Sequence, residues 1–216
     1  MPSIFNKRDF QKHHIYHLSN RGALGSEIFK SDQDYKTFTF ILSYYLRIPE
    51  GKPMSYLQTV KAPYTRGATK KLKIMPITCR LISYCLLPNN FHLILEELIG
   101  GSSPGISALM KRLSVTYAMF FNQKYGKTGS VFAGKYKMLE VPSKEHLLEL
   151  TKYLHRLPPS FSAYPHSSYQ DYLKITRSWV HPNEVLDHSR TKNTLSYRTF
   201  VEDTPPNQIF LGKLLL

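Results

Sequence analysis

Leu86-Leu87-Pro88-Asn89-Asn90-Phe91-His92-Leu93-Ile94-Leu95 is the stretch on which the reading of this chain turns. Ile77 to Leu87 is rich in β-formers, Pro88-Asn89 interrupts it as a turn, and the apolar run resumes through Glu97, which predicts a β-hairpin. Side chains in a strand alternate with a period of two, so Asn90 and His92 point the same way from the start of the second strand. A carbonyl oxygen and an imidazole that converge can hold a divalent cation. A tyrosine brought up to that cation from a helix would be a nucleophile aimed at a phosphate, and Tyr153 is the helical candidate.

On the N-terminal side, His14 to Ser19 alternates Ile15, His17 and Ser19 against Tyr16 and Leu18, and Asn20-Arg21-Gly22 follows as a turn. This predicts a first strand. Ser31-Asp32-Gln33-Asp34 supplies a capping signal for a helix whose apolar period runs Tyr35, Phe38, Ile41, Leu42, Tyr45 until Pro49 ends it. Residues 51–73 lose that period and collect Lys61, Arg66, Lys70, Lys71 and Lys73 around Pro63 and Gly67, a basic loop or hairpin insertion. On the C-terminal side, a Gly-Gly-Ser-Ser-Pro-Gly linker precedes Ile106 to Tyr125, where Leu109, Leu113, Tyr117, Phe120 and Phe121 keep helical spacing. Gly126 to Gly134 reads as a loop and Tyr136 to Val141 as a short strand. Ser143-Lys144-Glu145-His146 opens a helix through His155, and Pro158-Pro159 stops it.

The order β-α-β-β-α-β-α predicts an α+β fold: a ferredoxin-like antiparallel sheet with helices packed on one face. Residues 1–160 read as one domain carrying the basic insertion, and 161–216 as a C-terminal extension. Twenty-nine Lys and Arg against fifteen Asp and Glu give a formal charge of +14, which favours a polyanionic partner. Nucleic acid leads; ribosome-like or membrane-surface binding would give the same balance. No run of eighteen apolar residues occurs and Met1 to His14 is polar and basic, so a cytoplasmic protein that does not span a membrane is expected. Cys79 and Cys85, six apart in one strand, read as core thiols and not as a disulfide or a metal knuckle.

Five segments, in order, resemble a known family. They are Tyr16-His17-Leu18-Ser19-Asn20-Arg21-Gly22; Leu87-Pro88-Asn89-Asn90-Phe91-His92-Leu93; Gly129 to Lys137 followed by Lys152-Tyr153-Leu154-His155-Arg156-Leu157-Pro158; and Tyr164-Pro165-His166-Ser167-Ser168-Tyr169. The chain is similar over these segments to the single-tyrosine, HUH-type transposases of the IS200/IS605 group, and to their REP-associated branch in particular. The resemblance implies an enzyme that recognises single-stranded DNA hairpins, nicks beside them through a 5′-phosphotyrosyl intermediate and rejoins the strand. It implies Tyr153 as nucleophile, His92 as a metal ligand, Mg²⁺ or Mn²⁺ as cofactor, and a homodimer.

The sequence departs from the family in its metal ligands. Asn90 stands where the first histidine of the His-hydrophobic-His motif belongs, replacing an imidazole nitrogen by a neutral amide oxygen. Leu157, one helical turn after Tyr153, stands where the family often has Asn or Gln and offers no donor atom. His17, Glu96 and His155 are the available substitutes. The alternative function is therefore a catalytically decayed or domesticated relative that binds structured single-stranded DNA or RNA without cleaving it.

The residues also have plainer readings. His92 is a hydrogen-bonded structural histidine, Asn90 a turn residue, Tyr153 a core or interface side chain, and residues 61–73 a solvated loop. Arg21 serves the Asn-Arg-Gly turn or reaches a phosphate. Lys135 and Lys137 flank Tyr136 and project together, a candidate phosphate contact.

Overall fold

The computed structural model describes residues 10–48, 76–174, 179–187, 194–203 and 205–207. The basic insertion, with Lys61, Arg66, Lys70, Lys71 and Lys73, lies outside the described residues.

The β2–β3 hairpin forms as the sequence predicts. Strand β2 (Cys79–Leu87) and strand β3 (Asn90–Glu97) are antiparallel, with Leu87 opposite Asn90 across the two-residue turn Pro88–Asn89. Strand β1 (Ile15–Arg21) pairs on the other side of β3, and β4 (Lys137–Glu140) pairs with β1. The sheet order is β2-β3-β1-β4, all antiparallel, so β3 lies between the two strands joined by the first crossover. That is the split β-α-β arrangement of a ferredoxin-like fold. The inner strands β1 and β3 are buried along almost their whole length, as two-faced packing requires.

Helix α1 (Asp32–Arg47) begins at the capping signal: the Asp34 carboxylate accepts from the backbone N–H groups of Lys30 and Ser31 at 2.8 and 3.0 Å. Asp34 also accepts from Lys124 and from the Tyr125 hydroxyl, which ties the start of α1 to the end of α2 (Gly105–Tyr125). These two helices cover one face of the sheet, where Phe91 packs against Phe38 and Tyr117 against Phe29 and Phe38. The start of α2 is held by Glu97, a fully buried carboxylate that accepts from the N–H groups of Ile99, Gly100, Gly105 and Ile106. A carboxylate at a helix N-terminus also meets the positive end of the helix dipole. Gly105 is required there, because a Cβ would lie 2.4 Å from the Thr78 carbonyl oxygen.

Helix α3 (Lys144–Arg156), which carries Tyr153, lies on the opposite face, so the helical layer expected on one face is joined by a second on the other. Ser83, opposite Ile94 and therefore on the same side of the sheet as His92, bonds His155 Nε2 at 3.1 Å. The segment read as a C-terminal extension packs here too. Helices α4 (Tyr169–Lys174), α5 (Asn183–Leu186) and α6 (Thr194–Glu202) follow α3, and Ser167 bridges to Cys85 while Val180 bridges to Leu81 on the β2 edge. His155 bonds Ser168 Oγ and the Tyr197 hydroxyl, each at 2.8 Å, and Arg156 donates to the carbonyl oxygens of Val201 and Glu202. Cys79 and Cys85 are free and buried, and burial pushes both thiols up to about 12. Among the described residues no helix is long and apolar enough to cross a membrane.

Candidate functional site

The register of β1 against β3 builds the site. Ser19 lies opposite His92, Arg21 opposite Asn90 and His17 opposite Ile94, so His17, Ser19, Arg21, Asn90 and His92 share one face. Lys137 pairs with Ser19, and Cys85 with His92, which extends the row across all four strands.

Within that row the two histidines meet. His17 Nε2 lies 3.0 Å from His92 Nδ1, with the rings stacked at 5.2 Å between centroids. His17 is fully buried and His92 is 8% exposed. Burial, and after it the charge of His17, push the His92 imidazole down to about 3, so His92 is neutral at physiological pH. A neutral imidazole carries one proton and one lone pair. In the tautomer that gives the Nδ1–H to His17, the lone pair sits on Nε2 and is available to a ligand; a histidine that binds metal is held in the same way by a partner on its other nitrogen.

Asn90 supplies a second donor. Its Nδ2 donates to Asn89 Oδ1 at 2.9 Å, while its own Oδ1 is buried and has no hydrogen-bond partner among the described residues. An orphaned buried acceptor is uncommon in a folded protein and needs an explanation. Asn90 and His92 open onto a cleft of about 280 Å³ that is also lined by Ser19, Arg21, Lys135 and Lys137. The lining has three cationic side chains and, among the described residues, no carboxylate. Such a cleft attracts anions.

Tyr153 lies on the same side of the sheet but is not among the residues that line the cleft. It is half-buried against the core on α3. Burial raises the phenol above its ordinary value, with a smaller contribution from Cys85. The tyrosine is thus protonated at neutral pH and needs a cation or a base to become nucleophilic.

The substitute ligands are otherwise engaged. His17 supports His92. Glu96 pairs with Arg80 at 3.3 Å and His13 at 3.4 Å. His155 is fully buried, bonded through both ring nitrogens to Ser83, Ser168 and Tyr197, and pushed down to about 3 by burial. Leu157 forms the C-cap of α3 and carries no donor. Among the described residues no three His, Cys, Asp or Glu side chains converge as a metal cluster. An amide oxygen and an imidazole nitrogen, the groups Asn90 and His92 carry, are donor types that Mg²⁺ or Mn²⁺ accept alongside several waters and a substrate oxygen.

Two parts of this arrangement are not evident from the sequence pattern. The His17–His92 contact is one: the alternation of β1 shows which way His17 points, but not that β3 lies beside it. Asn20 is the other. It is buried, donates to the Gly134 carbonyl oxygen at 3.0 Å and so fixes the loop before Lys135, a role that its position in a turn motif conceals.

The chain is similar in structure to the REP-associated tyrosine transposase solved bound to a REP hairpin, with a TM-score of 0.51 and 11% sequence identity over 87% of this chain and 96% of that one. The likeness is one of fold. No protein-family model and no curated protein matches this sequence.

Proposed function

We propose that this chain binds hairpin-bearing single-stranded DNA across the cleft lined by Arg21, Lys135 and Lys137, and nicks and rejoins it through Tyr153 with the help of a divalent cation held by His92 and Asn90. The observation that carries the reading is the orphaned Asn90 Oδ1 beside the neutral His92, in a cleft with three cationic side chains. The +14 charge of the chain and the fold shared with a hairpin-bound transposase support a DNA partner.

In the tautomer of His92 that donates Nδ1–H to His17, Nε2 keeps its lone pair; Asn90 presents its amide oxygen from the turn. Mg²⁺ or Mn²⁺ bound to these atoms would draw charge from the scissile phosphate. Arg21, Lys135 and Lys137 hold flanking phosphates. The Tyr153 phenol gives up its proton to water and its oxygen bonds to phosphorus as the bond from phosphorus to the 3′ oxygen breaks; the 3′ oxygen takes up a proton from water, leaving a 3′-hydroxyl and a 5′-phosphotyrosyl ester that stores the energy for rejoining.

A second reading, hairpin binding without cleavage, is favoured by one observation: of the three ligand positions that the resemblance implies, one has Asn90 in place of a histidine and one has Leu157, which carries no donor. Incubation with radiolabelled DNA hairpins and Mg²⁺ or Mn²⁺ separates the two. A covalent protein–DNA band on a denaturing gel, lost in Tyr153→Phe, supports cleavage. Tight binding with no such band on any hairpin supports the second reading.

A further inference from the structure

Beside the cleft stands an apolar side chain that folding alone does not explain. Leu24, in the short turn Ala23–Gly25, is fully exposed, with a relative accessibility of 106%, and adopts the left-handed conformation with φ 54° and ψ 26°. That region disfavours residues with a Cβ, and glycine or asparagine would fill it more easily. The turn is not loose. Gly22 N–H donates to the Asn89 carbonyl oxygen at 2.8 Å, Ala23 N–H to that of Val131 at 3.0 Å and Ser26 N–H to that of Ala23 at 3.0 Å. A Cβ on Gly22 would lie 1.9 Å from the Ser26 carbonyl oxygen, so the turn closes as tightly as its backbone permits.

A hydrogen-bonded turn thus displays a leucine to solvent, at a conformational cost and with no apolar partner among the described residues. Leu24 lines an open groove of about 730 Å³ together with Arg21, Ser130, Phe132 and Gly134. Arg21 and Ala133 line this groove and the His92 cleft alike, so a strand that crosses the cleft continues past Leu24. An occupant must be anionic beside Arg21, Lys135 and Lys137 and flat and apolar beside Leu24. Single-stranded DNA is both: its backbone is charged and its unpaired bases offer apolar faces.

We propose that Leu24 is a base-contacting wedge, which packs on the face of an unpaired DNA base next to the hairpin stem and so distinguishes a hairpin with a single-stranded flank from a blunt one. This rests on the proposed function. Apolar side chains inserted against bases in this way are a known means of reading unstacked positions.

The test uses the full chain and a DNA hairpin selected from a randomised pool, made with an unpaired 5′ flank carrying 2-aminopurine at its first unpaired position, and again as a blunt stem. Leu24→Ala should weaken binding of the flanked hairpin about fivefold, the low end of the range for one stacked base, and leave the blunt stem unchanged. Leu24→Gly should do the same while keeping or raising the melting temperature, because it relieves the backbone; that opposite sign separates base contact from folding. The 2-aminopurine fluorescence change on binding should shrink in both variants. Equal affinities of wild type and both variants for the flanked hairpin would overturn the wedge and leave the proposed function standing. No binding by the wild-type chain to any selected hairpin would overturn both.

Discussion

His17 Nε2 and His92 Nδ1 lie 3.0 Å apart across the β1–β3 pair, buried, and this contact occupies Nδ1 of His92. On the proposed function His17 is a positioning residue that acts through His92. Replacing it with leucine should lower Mn²⁺ affinity by about 10- to 100-fold, the range found when the partner of a metal-bound histidine is removed. His17→Gln, which can still accept the Nδ1 proton, should restore most of that affinity. Titration of Mn²⁺ by electron paramagnetic resonance checks this, and equal losses in both variants would assign His17 to packing alone.

Restoring Asn90→His should raise affinity for Mn²⁺ and increase nicking, because an imidazole nitrogen binds first-row transition metals better than a neutral amide oxygen. The same titration and the covalent-adduct assay read it. If neither quantity moves, the face shared by residues 90 and 92 does not hold a cation.

Lys135→Ala and Lys137→Ala should each weaken hairpin binding across sequences and reduce the slope of log K against log salt by about one. Both side chains line the cleft, so the double variant should lose about two.

Acid should destabilise the fold through His92 and His155. Burial depresses both to about 3 in the native state, against an ordinary value near 6.5. The unfolded chain therefore takes up protons that the native one refuses. Their contribution is complete above about pH 6.5 and falls as the pH drops from there towards about 3, by up to about 1.4 kcal/mol per pH unit for each histidine. Urea denaturation at pH 7 and pH 5 should show that loss, and His155→Gln should show a smaller one.

Much of the fold is legible in the sequence because its signals are local. Pro88-Asn89 between two β-rich runs gives the hairpin, the period of two puts Asn90 and His92 on one face, and Ser31 to Asp34 opens α1. What the sequence conceals is set by pairing across long separations. Ser19 meets His92, and His17 comes within reach, only through a register between residues more than seventy apart. His155 looks like a possible ligand because it is two residues from Tyr153, yet Ser168 and Tyr197, from the segment read as an extension, enclose it. A bulge between Leu81 and Ser83 shifts the alternation within β2, so period counting along that strand does not place Cys79 and Cys85 on a common face.

The central claim is a cation bound by Asn90 and His92 in a DNA-filled cleft. Anomalous diffraction from crystals of the Tyr153→Phe chain with a selected DNA hairpin and Mn²⁺ tests it directly. The account predicts a peak bonded to His92 Nε2 and Asn90 Oδ1 and to an oxygen of the DNA backbone. A hairpin bound across Arg21, Lys135 and Lys137 with no anomalous peak between those two residues would contradict it.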